Sequence, residues 1–481
     1  SAADCAPAAA DTAGGAAPGE VDSREIEQII VRERLRTGSH INHANYLGAA
    51  PVSVLSAPEI EASGAQSLGD LLRGLPVVIG NQTSTAVSNG GDGTATVTLR
   101  GLPASNTLVL VNGHRASHGG LAGDAFDLNT VAPATVERIE ILKEGASAVY
   151  GSDAIAGVVN IILKRDFDGV HVGTHYGETQ RGDRGTRATS LLAGNTFARG
   201  SVLFSATVYE QDEVASRNRA VSRNADGRAQ GGADLRSSAT PAARFALGGQ
   251  TLTLGRDATG YLPGTRPEDF VPAGDEYLYN FREHTTALVP SERTNLYGSA
   301  RYELGARTTL LAELAHARNE SETALAPTPV FTAFESLPLT VSAANPFNPF
   351  GTDILDLRRR VVELGPREQE DRSHTTRAVL GLEGEAGDAW RWNASWNWSR
   401  TESDESLHGL IDGERLQQAL GPAAGCTAAS GCVPVNLFGP PGAIDALQAG
   451  YLRTGTKASG YSRLGALEAS ITGPVAALAA G

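Results

Sequence analysis

The stretch EILKEGASAVYGSDAIAGVVNII, Glu140–Ile162, decides how the rest of the chain is read. An apolar run enters a loop of small residues and a second apolar run leaves it, which is also how a phosphate-cradling loop is built. The phosphate reading fails on spacing. A Walker loop ends in Gly-Lys-Ser/Thr so that a lysine reaches the phosphates, and no lysine lies between Glu144 and Gly157. A dinucleotide fingerprint needs G-x-G-x-x-G, whereas Gly145, Gly151 and Gly157 are evenly and more widely spaced. The glycines are therefore expected to permit turns and close backbone packing between short elements.

Outward from this stretch the signals are dense. SLGDLLRGLP (67–76) places Leu68, Leu71, Leu72 and Leu75 at helical spacing, with Ser67 and Asp70 as a capping-box-like start and Gly74 and Pro76 as a stop. TATVTLRGL (94–102) alternates as a strand, and TLVLVNGHRAS (107–117) sets Asn112-Gly113 between two extended runs, a strong hairpin signal. VERIEILK (136–143) puts Ile139 and Ile141 on one face and Glu140 on the other, and GVVNIILKRDF (157–167) is a nearly continuous apolar strand. Residues 51–165 thus read as a compact α+β domain.

Beyond Phe167 the period becomes two. VHVGTHYGE, RATSLLAGNT, GSVLFSATVYEQ, TNLYGSARYEL, TTLLAELAHAR, TTRAVLGLEGE, WRWNASWNWSR and SRLGALEASI are candidate strands of a length suited to a tilted membrane crossing. Short links near 304–307 and 386–388 alternate with long ones near 212–290, 323–372 and 405–459, the layout of a barrel with tight turns on one side and long loops on the other. All four tryptophans, Trp390, Trp392, Trp396 and Trp398, share one face of one strand. A soluble sandwich would bury that face between layers, but the opposite face is polar, which favours a lipid-facing wall with an aromatic belt.

Composition narrows the partners. The 481 residues carry a net charge of -14 with Gly 56 and only 6% aromatics. This acidity excludes a nucleic-acid binder. No run is long and apolar enough for a spanning helix, a test that barrel strands escape. Metalloprotease, nucleophile-elbow and Cys-x-x-Cys motifs are absent, so no enzyme and no cofactor is expected. His114 and His118 sit in and after the hairpin, where they are either ligand contacts or exposed loop residues. Cys426 and Cys432 bracket GCTAASGCVP and can form a local disulfide in an oxidising compartment, whereas Cys5 stands apart.

The ordered array SLGDLLRGLPVV, TVTLRGL, TLVLVNGHR and NTVAPATVERIEILKEGASAVYGSDAIAGVVNIILK, with the paired strands behind it, resembles the TonB-dependent outer-membrane receptors. SAANPFNPFG and GCVPVNLFG resemble loop signatures of a large subgroup. The resemblance implies a flexible periplasmic leader (1–50), a plug (51–165) and the first part of a transmembrane antiparallel β-barrel (168–481) with long extracellular loops. It implies that Val158, Val159, Ile161 and Ile162 fill the plug core while Tyr150, Ser152 and Asp153 make turn or polar contacts. It further implies a TonB box at Gln28, Ile29, Ile30 and Val31, pairing as an added strand with a TonB-type periplasmic coupling protein. Arg100, Arg115, Glu137, Arg138 and Glu140, with Lys143, are expected either to hold the plug to the wall or to form a solvated face. The plug apices, Asn81–Thr94 and Ala116–Gly123, are expected to meet a small ligand, with Asn81, Asn89, His114 and His118 as contacts. A monomer in the outer membrane, matured by removal of a signal peptide, is the implied state.

One departure stands out. Plugged barrels have 22 strands, and about eight cannot enclose such a plug, so the chain is expected to be the N-terminal part of a longer receptor with no closed pore of its own. The implied function is energy-coupled import of a siderophore, cobalamin, sugar or peptide. The alternatives are a non-transporting sensor or adhesin on the same fold, and a soluble cofactor-binding enzyme.

Overall fold

A computed structural model describes residues 52–79, 91–333, 338–387 and 389–474. The expected TonB box at Gln28, Ile29, Ile30 and Val31, together with Cys5, Asn81 and Asn89, lies outside the described residues. The first unit is a five-stranded mixed sheet of β1 (Val52–Ser56), β2 (Thr107–Val111), β3 (His114–Arg115), β4 (Val136–Leu142) and β5 (Gly157–Leu163), in the order β1-β4-β5-β2-β3. Helices α1 (Ala57–Ala62), α2 (Leu68–Arg73) and α3 (Ser147–Tyr150) accompany it. Ser67 caps α2 by accepting from the Asp70 amide at 3.1 Å, and Leu68, Leu71 and Leu72 are buried. The sheet is covered on both faces. Ile139, Ile141, Val159 and Ile161 enter the main core, and Leu108, Leu110, Leu142 and Val158 enter a smaller one behind. Glu140 is therefore buried too, not exposed on a free face; it takes a hydrogen bond from Arg138 at 3.0 Å.

The opening stretch is β4, α3, a 3-10 turn at Ser152–Ala154, and β5. Gly157 has φ 138, and a Cβ there would stand 2.3 Å from the Leu142 carbonyl oxygen, so only glycine lets β5 start so close to the end of β4. At the hairpin Asn112 (φ 54) and Gly113 (φ 82) are both left-handed, as a type I′ turn requires. TATVTLRGL differs from the expected strand. Apart from an isolated bridge between Val78 and Leu99 it joins no sheet; side chains take some of its backbone donors, Asp127 accepting from the Ala95 amide at 2.9 Å and Thr107 from that of Leu99 at 3.2 Å, while the Arg100 and Gly101 amides donate to the Val77 and Ile79 carbonyls. Its alternation still buries Ala95, Val97 and Leu99.

The second unit is one antiparallel sheet whose eight strands pair in chain order: β6 (Gly169–Glu178), β7 (Gly185–Phe197), β8 (Gly200–Gln211), β9 (Ser291–Gly305), β10 (Thr308–Leu325), β11 (Arg367–Ala386), β12 (Trp390–Ile411) and β13 (Arg453–Thr472). All eight expected strands are present. The outer strands β6 and β13 are not paired with each other, so the wall is open. One face packs on the first unit and is polar, with Asn397, Ser399, Thr401 and Ser403 of β12 buried. The other exposes Val172, Phe204, Leu314, Leu380, Trp396 and Leu467. Trp390 and Trp396, 36% and 44% exposed, lie on this outer face, which removes the sandwich reading. Among the described residues no helix is long and apolar enough to cross a membrane.

The late strands reach 18 to 22 residues, longer than expected, because they rise past the apolar zone into the long connections. These connections do not run separately. Segments 212–290, 326–333, 338–366 and 412–452 fold together into a cap with its own core, including Phe245, Leu254, Leu357, Leu420 and Phe438. Three Asn-x-Phe turns shape it. Asn345, Asn348 and Asn436 each accept from the amide of the phenylalanine two residues on, at 3.0, 3.0 and 3.1 Å. Phe350 and Phe438, from the two loop signatures, then meet with ring centroids 6.0 Å apart.

Candidate functional site

The polar inner face of the wall grips the first unit along the hairpin and its flanks. Asn397 donates to the Arg115 carbonyl at 2.6 Å, the Ser117 amide donates to Ser399 at 2.6 Å, and the His118 amide donates to Ser462 at 3.2 Å. The His114 ring lies 3.0 Å from Glu468. Higher up, Asn295 donates to the Asn129 carbonyl (2.9 Å), Asn319 to that of Gly93 (3.1 Å) and Gln369 to that of Gly91 (2.7 Å). Most of these bonds end on backbone carbonyls and amides, so they fix position without demanding a particular plug side chain.

One cluster is charged. Glu313, 7% exposed, accepts from Asn112 at 2.7 Å, Arg165 at 3.2 Å and Arg377 at 3.0 Å, while Arg377 also donates to the Val111 carbonyl at 3.0 Å. Asn112 is the joint: its left-handed backbone turns the hairpin, its amide nitrogen reaches Glu313, and its oxygen accepts from the Leu163 amide at 2.8 Å. The hairpin, the end of β5 and two wall strands are thereby locked at one point. Asp127 forms a second buried anchor, accepting from the Ala95 and Asn129 amides at 2.9 and 3.0 Å. Burial pushes its carboxyl up to about 6, against the opposing pull of those amides and of Arg293.

The five charged residues expected at the plug–wall contact lie elsewhere. Arg100 donates to the Ile155 and Ala156 carbonyls, Arg115 pairs with Asp153 and the Tyr150 carbonyl, and Glu137, Arg138 and Glu140 bond one another. β4 runs between β1 and β5 and so keeps its charges within the plug; of the five, Arg115 is hydrogen-bonded to the wall, through its carbonyl, among the described residues. Of the four expected ligand contacts, His114 and His118 are part-buried against the wall rather than free at an apex. Cys426 and Cys432 are disulfide-bonded within the cap, their Cα atoms 4.9 Å apart. The wall residues of the lock were missed. A signal existed for two of them: Glu313 is a charge inside the apolar run LLAELA, and Arg377 stands at the head of the apolar run AVLGL.

Residues 47–158 match the family described as TonB-dependent Receptor Plug Domain. Among solved structures, the chain is similar to a mutant ferric enterobactin receptor from Pseudomonas aeruginosa, at 18% identity and TM-score 0.43, over 75% of this chain and 46% of that one. It is also similar to the ferric preacinetobactin receptor from Acinetobacter baumannii, at 12% identity and TM-score 0.41, over 88% and 55%. The chain spans about half the length of these structures. Residues 47–158, whose mixed sheet ends in this glycine-set last turn and is held by the polar face of an open antiparallel wall, thus match the plug domain of TonB-dependent receptors.

Proposed function

We propose that this chain belongs to an outer-membrane receptor that binds a scarce small ligand between the plug apices and the folded cap and imports it when a TonB-type periplasmic protein pulls the plug. The wall strands cross the bilayer in a mature protein freed of its signal peptide, residues 51–165 are the plug, and residues 28–31 are the coupling box. The activity is transport, with no covalent step. One observation carries this reading: the plug meets the wall largely through hydrogen bonds to backbone groups, and the buried charged lock is built on one hairpin residue, Asn112. The backbone-directed hydrogen bonds are individually weak and exchangeable with water, so they can hold a plug and still release it under load, with the buried lock as the one costly point.

The test is uptake by a strain carrying the full-length gene, offered siderophores, cobalamin, sugars and peptides, with and without residues 28–31. Import of one class that stops on deletion of the box is expected. Uptake that persists without the box refutes the coupling assignment, and ligand binding with no uptake in either strain identifies a sensor or adhesin.

A further inference from the structure

We infer that the outer surface of strands β10–β13 carries a binding strip for the phosphates of anionic lipid headgroups, placed at the upper rim of the apolar belt. This rests on the membrane-spanning reading of the wall. On β12 the outward residues are Trp390, Trp392, Ala394, Trp396 and Trp398, and then the chemistry changes to Arg400, Glu402 and Asp404. From Trp390 to Trp398 the strand advances about 27 Å at ~3.4 Å per residue. At a tilt of about 40° that is ~21 Å of depth, close to the ~25 Å apolar band of such barrels. Arg400 is thus the first outward residue above hydrocarbon, on the side of the long loops, which face outward from the cell in such barrels.

Strand register extends this level sideways. Arg400 is the direct partner of Arg463 on one side and of Thr376 on the other, and Thr376 is the partner of His316. The row is Arg463, Arg400, Thr376, His316, with no acid in it. The next row up holds Tyr461, Glu402, His374 and Arg318, and the one above that holds Asp404, Arg372 and Glu320. Basic groups therefore sit nearest the belt and acidic ones begin farther out.

Two arginines directly opposed across a ladder repel each other unless something shares their charge. Arg400 is partly relieved by Glu402 at 2.6 Å and by the Tyr461 ring, 5.3 Å away. Arg463 is exposed and has no hydrogen-bond or ion-pair partner among the described residues. His316 bonds Thr376 at 3.0 Å and its ring lies 6.4 Å from that of His374. A phosphate at headgroup depth would bridge Arg400 and Arg463 by charge-assisted hydrogen bonds, with the imidazoles as further donors.

The experiment reconstitutes the full-length protein in nanodiscs and counts retained lipids by native mass spectrometry. Phosphatidylglycerol competes with phosphatidylcholine, and inorganic phosphate is added in a separate arm. The expected preference for phosphatidylglycerol is about tenfold, lost in Arg400→Gln/Arg463→Gln and kept in Arg372→Gln/Lys457→Gln, which removes equal charge two rows higher at Arg372 and three rows higher at Lys457, the partner of Ser406. Equal loss in both double variants, no preference in the unaltered protein, or displacement of the lipid by millimolar phosphate overturns the strip. Vesicle flotation is read beside it: a protein that does not float refutes the membrane reading itself, whereas one that floats without lipid preference refutes only the strip.

Discussion

Truncating Glu313 exposes the logic of the lock. The carboxylate is buried between Arg377, Arg165 and the Asn112 amide, and Arg377 itself is nearly covered. In Glu313→Ala the buried guanidinium of Arg377 keeps only the Val111 carbonyl, and stranding one partner of a buried pair costs about 3–5 kcal/mol. Arg377→Ala is expected to cost less, about 2 kcal/mol, because Arg165 and Asn112 still face the carboxylate. Removing both side chains abolishes the stranded charge, so the double variant should be more stable than the sum of the single losses predicts, by about 2 kcal/mol. Tryptophan fluorescence cannot follow this, since all four tryptophans lie on β12. The suitable assay is native-state hydrogen exchange at Val109 and Val159 amides, in the plug strands beside the lock, measured in the full-length protein. Losses that add to within about 0.5 kcal/mol would show that the two residues do not act as a pair, and the lock would be a coincidence of proximity.

Other consequences are as direct. Asp127 titrates upward on folding, so the folded plug binds its proton more tightly than the unfolded chain; the stability that this one group contributes is fullest below about pH 4 and is lost as pH rises through about 6, by about 3 kcal/mol. Asp127→Asn should flatten that slope in denaturation curves taken at pH 4 and pH 7, and an unchanged slope would assign it to another group. Asn112→Gly keeps the left-handed turn but deletes the bonds to Glu313 and the Leu163 amide; a plug loosened by about 2–3 kcal/mol in the same exchange assay is expected. In the cap, Phe438→Ala removes a ring touching Phe245, Phe270 and Phe350 and should cost about 3–5 kcal/mol, seen as faster proteolysis within 412–452 while β12 remains protected.

The fold was legible wherever the pattern is local. The α2 leucines, the Asn-Gly turn and the eight alternating strands announce themselves through periods of 3.6 and 2, and the structure contains them all. TATVTLRGL shows the limit: alternation reports which residues are buried, and it is silent on whether the backbone bonds a neighbouring strand or the side chains of Asp127 and Thr107. The charged plug residues failed for a related reason. A solvated charge and a wall contact look alike in sequence, and what separates them is that β4 is an inner strand of the plug sheet, a fact of topology.

The cap was hidden more deeply, since each Asn-x-Phe turn is readable alone but nothing local says that Phe350 and Phe438, far apart in the chain, share one core. That core bears on how the loops are tied to the strands beneath them. Arg359, fully buried, donates to the Leu437, Gly439 and Pro440 carbonyls and to Glu363, so it ties the loop between β10 and β11 to the loop between β12 and β13. Loops bound in this way are expected to move as one body, and such a cap would draw together on the strands beneath it, including β10 and β11, which carry Glu313 and Arg377. Arg359→Leu, which keeps the bulk and removes the donors, should let the two loops exchange independently, with protection lost at 326–366 and 412–452 by different amounts. Joint loss by equal amounts would mean that the phenylalanine core alone couples them.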